Sequence, residues 1–180
     1  ELHATLCQSY STYSDDPKVD ALLSEIEVGE STYQEFKSTF FLCLKSNRAE
    51  KHIELSAMKS VVGFENKEGG KLFIGVNDTG EILGVNKEID LFHKGDSDKY
   101  LLRLKDRLKT SIKHGLVNVD IDLRRIGDRL IVELTVKKSD EPSFLIVDKK
   151  ENFYVRQGPS TELLEASQLL SYCQSRFSVR

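Results

Sequence analysis

The 180 residues are 39% hydrophobic and 31% charged with a net charge of −3, which suits one globular domain and excludes both a disordered chain and a uniformly basic, DNA-coating one. No apolar run approaches the roughly 20 residues of a membrane helix, and no basic-then-apolar leader opens the chain. Cys7, Cys43 and Cys173 are odd in number and far apart, and His3, His52, His93 and His114 are scattered, so the sequence suggests neither a disulfide framework nor zinc, but a reducing, cytoplasmic setting.

With Glu1 first and Met58 as sole methionine, the sequence reads as a fragment of a larger protein. Residues 1–20 read as a flexible lead-in to one domain over residues 21–178. Pro17 opens a short helix, with Asp16 as N-cap, Val19, Leu22, Leu23 and Ile26 as its stripe and Gly29 as its stop. Residues 31–41 alternate and predict a strand from about Thr32. Residues 50–66 carry Ile53, Ala57, Val61 and Phe64 at helical spacing, ended by Gly69-Gly70. The run KLFIGV (71–76) predicts a buried central strand, and Asn77-Asp78-Thr79-Gly80 a turn into a return strand over 81–85. Leu101, Leu104, Leu108 and Ile112 mark a helix over 98–114. Residues 117–125 and 129–137 alternate around Ile126-Gly127-Asp128 and predict a hairpin. Two short strands over 144–147 and 152–155 precede a closing helix over 162–177. The sum is an α+β fold, a mixed sheet with about four helices on its faces.

Residues 63–71 are a poor phosphate loop. Five residues separate Gly63 from Gly69, and Leu72 follows Lys71 where a magnesium-binding hydroxyl would be needed, so ATP is not expected.

Four segments together carry a resemblance: ESTYQEFKS (30–38), VGFENKEGGKLFIGVND (62–78), GEILGV (80–85) and FYVRQGPST (153–161), the last followed by a helix. In that order the chain resembles the Schlafen AlbA-like domain from about Leu22 to Phe177. It departs from the family at Glu65, where a small or apolar residue is usual, and at Lys67, where Thr or Ser is usual; both changes are expected to alter the surface and not the fold. The resemblance implies a Schlafen core-lobe-like fold and nucleic-acid binding, RNA ahead of DNA. It also implies metal-dependent cleavage of structured, tRNA-like RNA, with Glu30, Glu35 and Asp78 as ligands of Mg²⁺ or Mn²⁺. The other reading is a DNA-binding or regulatory module of a larger bacterial protein, without chemistry. Paired lobes in animal Schlafens suggest, by analogy, a homodimer.

The residues fit the metal reading in part. Carboxylates are hard ligands for either ion, and Asp78 follows a buried strand. Glu30 and Glu35 are five apart, which on one strand points them to opposite faces; they converge only if Glu30 lies in a turn or a bulge intervenes. The bland alternatives are solvated glutamates and a turn-forming Asp78. Lys37 shares a strand face with Glu35 and could meet the scissile phosphate or pair with Glu35. Lys45, Arg48 and Lys51, with His52, form a basic cluster. Arg156, Ser160 and Thr161 could hold a phosphate at the closing helix's N-terminus; otherwise the hydroxyls only cap the helix and Arg156 pairs with a sheet carboxylate. Lys105, Lys109 and Lys113 fall in a stripe better read as a solvated helix face.

Overall fold

Strand β4 (Gly70–Ile74) lies second in a four-stranded sheet, between β1 (Gln34–Lys37), to which it is parallel, and β6 (Arg129–Val136), to which it is antiparallel. Its alternation distributes the core. Leu72 and Ile74 enter the main cluster with Ala57, Val61, Leu104 and Leu108, while Phe73 points the other way to Leu22 and Ile26. The structure, a computed structural model, describes residues 17–177.

Helix α1 (Pro17–Glu27) covers the Phe73 face. Residues 17–20, counted with the lead-in, are its first turn; its expected cap Asp16 lies outside the described residues. The opposite face carries α2 (Lys51–Glu65), α3 (Asn86–His93) and α4 (Ser97–Ser111). Helix α2 packs so closely on the C-terminal hairpin that a Cβ at Gly63 would lie 2.8 Å from Thr161 Cγ2. Gly69 holds φ at +79°, and a Cβ there would come within 2.6 Å of the Val136 carbonyl. Strand β5 (Val119–Ile126) completes the sheet beside β6, through the hairpin the alternation predicts.

Several expectations need correction. The strand over 31–41 is only Gln34–Lys37; a short hairpin, β2 (Leu42–Cys43) and β3 (Arg48–Ala49), follows it. The return strand over 81–85 shrinks to one bridge, Val76 to Ile82. The described residues hold five helices where about four were expected; the added one is α3, which has only Ile89 as a buried apolar residue and shows no stripe. After β7 (Leu145–Val147) come β8 (Lys150–Asn152), β9 (Tyr154–Gln157) and β10 (Ser160–Leu163), so the closing helix α5 (Ala166–Arg176) begins four residues late. Ser160 and Thr161 are strand residues paired with Gln157 and Arg156 and cap no helix. At α5 the Gln168 side chain accepts from the Glu165 N–H at 3.3 Å instead.

Candidate nucleic-acid interface

Two of the three carboxylates expected to hold a metal, Glu30 and Glu35, serve the outer edge of β1. Glu30 lies in the turn before the strand and reaches past the puzzling five-residue spacing, its Oε1 accepting from the Phe36 N–H at 3.0 Å. Glu35 turns inward, 9% exposed. Its Oε2 accepts from Arg156 Nη1 at 2.5 Å and its Oε1 from Lys37 Nζ. Arg156, 1% exposed, also donates to Thr161 Oγ1 at 3.2 Å and to the carbonyls of Ser31 at 2.7 Å and Gln34 at 3.1 Å. Its guanidinium lies over the Phe64 ring, 4.9 Å from the centroid. Asp78 is exposed in the turn after β4, where Asn77 Oδ1 accepts from Thr79 and Glu81.

The expected metal set is therefore not assembled. Among the described residues no three His, Cys, Asp or Glu side chains stand close enough to hold an ion. Both Glu35 oxygens already face cations, and a Mg²⁺ or Mn²⁺ ion bound there would strip a buried guanidinium of its counter-charge. These residues do not fit the metal. Lys37 takes the ion-pair role with Glu35. Arg156 is likewise corrected from a surface phosphate contact to an interior clamp, because four protein acceptors meet its two terminal nitrogens, Nε alone is left without a partner, and solvent does not reach the side chain. Ser160 remains exposed, while Thr161 faces Arg156.

Glu65 is also corrected. Far from altering the surface, it is fully buried at the end of α2. Ser143 Oγ donates to its Oε2 at 2.5 Å, its Oε1 has no partner, and burial pushes its carboxyl above the ordinary range. Beside it Asn66 fastens the 139–143 loop, donating to the Ser143 and Tyr154 carbonyls and accepting from the Ser143 N–H, each at 2.8 Å. Lys67 lies over the Tyr172 ring, 5.9 Å from its centroid.

The basic cluster is brought together at the surface. Lys45 lies in the turn between β2 and β3, Arg48 on β3 and Lys51 at the start of α2; all are exposed and make no ion pair among the described residues. Two-residue strands cannot hold such a hairpin by themselves. The support comes from Glu88 on α3, a residue that sequence reasoning missed. Its carboxylate, 1% exposed, accepts from the N–H groups of Phe40 at 3.1 Å, Phe41 at 2.5 Å and Leu42 at 2.7 Å, and from the Tyr100 hydroxyl at 2.9 Å. Burial pushes its carboxyl up against the pull of these donors. Arg103 lies 4.1 Å from the Phe41 ring centroid, and Lys87 Nζ donates to Asn47 Oδ1 at 2.6 Å, which ties the turn to α3. A lone Glu within a charged NKEID stretch gave no sequence signal; only the folded hairpin supplies its donors.

The α4 stripe is broken as a binding surface. Lys105 and Lys109 are exposed, but Lys113 pairs with Glu151 at 2.9 Å, and Arg107 on the neighbouring side pairs with Glu54 at 2.6 Å. Among the described residues no helix is long and apolar enough to cross a membrane.

Comparison with known proteins places these observations in context. The profile of the Schlafen AlbA_2 family matches residues 30–165. Among solved structures, the chain is similar in fold to the DIP2311 protein of Corynebacterium diphtheriae, with a TM-score of 0.58 and 18% identity. That match covers 89% of this chain and 28% of the other, so the chain spans under a third of that neighbour's length. No curated protein matches the chain.

Proposed function

The chain belongs to the Schlafen AlbA_2 family, and from that premise we propose that it is a nucleic-acid-binding domain that grips RNA by its phosphates through the β2–β3 hairpin and the first turn of α2. The observation that carries the reading is the exposed trio Lys45, Arg48 and Lys51, without an ion pair among the described residues, on a hairpin anchored by Glu88 and on the first turn of α2 beside it. Free cations on one rigid projection displace counterions from a polyanion, and they position a backbone without reading its bases. A net charge of −3 is compatible, because the cations are gathered, the acid among them, Glu50, is held by Ser46 and His52, and several other acids lie in internal pairs. RNA is named ahead of DNA on the family resemblance. Binding without hydrolysis is the preferred form, since Glu30, Glu35 and Asp78 offer no joint ligand set.

Fluorescence anisotropy with a tRNA and a duplex DNA of matched length, across a series of salt concentrations, tests the proposal. Affinity should fall steeply with salt, and combined Lys45→Ala, Arg48→Ala and Lys51→Ala should flatten the log–log slope by about 2–3, near 0.7–0.9 per phosphate contact. Salt-independent binding, or a triple variant indistinguishable from wild type, would refute it. Tighter binding of duplex DNA would transfer the reading to DNA. Cleavage products that need Mn²⁺ and vanish in Glu35→Gln, with the fold intact, would restore the nuclease reading.

A further inference from the structure

The two margins of the four-stranded sheet are treated differently. Along β1 the outward backbone groups are taken within the chain. Glu30 accepts from the Phe36 N–H, Lys37 Nζ donates to the Phe36 carbonyl at 3.0 Å, and Ser31 N–H and Arg156 both donate to the Gln34 carbonyl. The other margin, β5, is eight residues long and has no such cover among the described residues. Its ladder closes on a two-residue turn after Ile126, and the Lys137 N–H donates to the Asn118 carbonyl at 2.8 Å. Even-numbered residues therefore bond to β6, and the backbone groups of Ile121, Leu123 and Arg125 face outward. Among the described residues no hydrogen bond reaches them from another element.

We propose that this edge pairs with β5 of a second copy of the chain, antiparallel about a twofold axis through Leu123, to make one continuous sheet. The inference stands apart from nucleic-acid binding. An axis perpendicular to the sheet keeps every side chain on its own face, so only residues of like parity oppose each other. Leu123 then meets Leu123 of the partner subunit, and Ile121 meets the partner subunit's Arg125. Each of these outward-facing pairs exchanges two backbone bonds, about six in all. Asp122 lies opposite the partner subunit's Arg124, at the close, non-hydrogen-bonded positions where side chains interact most. Asp122 is exposed without an ion pair, while Arg124 uses Nε on Glu133 at 2.8 Å and keeps its terminal nitrogens.

Charge on an edge strand ordinarily keeps other strands away, and a run of one sign would do so here. In this register the charges that meet are instead opposite in sign: Asp122 of each copy faces the partner subunit's Arg124, two pairs in all, while Asp120 and Arg125 face isoleucines. Ile121 and Leu123, half-buried against the main core, would lose their remaining exposure. The partner is thus an identical strand with acids in one half and bases in the other.

Sedimentation velocity over a concentration series, without nucleic acid, decides the matter. A reversible monomer–dimer equilibrium is expected. Asp122→Arg sets like charges opposite each other twice and should weaken the dimer about tenfold or more. Arg125→Pro removes an outward N–H at an exposed position without touching the β6 ladder, and should weaken it similarly. Thermal melts of the dilute proteins check that each variant folds, and if Asp122→Arg does not, Arg125→Pro carries the test. A chain that stays monomeric at the highest soluble concentration overturns the proposal. So does a dimer that both folded variants form as strongly as wild type.

Discussion

Replacing Arg156 with Met separates an internal clamp from a ligand-binding arginine. The substitution keeps the bulk of the side chain but removes the donors that meet Glu35, Thr161 and the carbonyls of Ser31 and Gln34. Glu35 would be left buried with only Lys37, which is itself partly solvated. Removing one member of a buried ion pair costs about 3–5 kcal/mol, because the survivor loses water without gaining a counter-charge. At roughly 2–4 °C per kcal/mol for a chain of this size, the melting midpoint should fall by about 10 °C. Circular dichroism melts at neutral pH supply the measurement. Adding Glu35→Gln to Arg156→Met should recover part of the loss, since the stranded charge is gone. Added Mn²⁺ should leave the wild-type midpoint unmoved, whereas an ion bound at Glu35 would raise it with concentration. If Arg156→Met melts like wild type but loses affinity for nucleic acid, the clamp reading is refuted and Arg156 is a surface contact after all.

Other perturbations probe the remaining buried acids. Glu65 is raised above its ordinary 4.5 by burial, so its contribution is fully present below that value and is lost as pH rises through the raised one. The difference in urea-unfolding free energy between Glu65→Gln and wild type should therefore move in favour of the variant as pH rises across that window; a flat difference would refute it. Glu88→Gln keeps an acceptor but removes the charge that gathers the amides of Phe40, Phe41 and Leu42. Hydrogen exchange at those amides should accelerate about tenfold, with a loss of nucleic-acid affinity in the same direction as for Arg48→Ala; unchanged exchange would count against Glu88 as the anchor. Gly69→Ala must either leave a positive φ or press its Cβ on the Val136 carbonyl, and should cost about 2–3 kcal/mol in chemical denaturation.

What could be read along the chain was whatever depends on near neighbours. The apolar KLFI run marks the interior strand, alternation around Gly127-Asp128 marks the β5–β6 hairpin, and the 3.6-residue spacing marks α2 and α4, because period and turn chemistry are local. The order of four motifs carried the family. Helix α3 escaped notice because a short helix buried through one isoleucine and one glutamate shows no periodicity. The acidic residues of the ESTYQEFKS segment were visible as residues but not as roles. Glu35 acquires its function from Arg156, 121 positions away, and Glu88 from amides 46 to 48 positions away. No local pattern reports which cation a buried carboxylate will meet, since that depends on how the sheet edge and the C-terminal hairpin pack. The chain's own order thus determined the β4 strand, the β5–β6 hairpin, most of the helices and the kinship, while only the tertiary structure decided that Glu35 and Glu88 brace the fold and that Lys45, Arg48 and Lys51 stay exposed without an ion pair among the described residues, because those roles depend on groups distant in sequence.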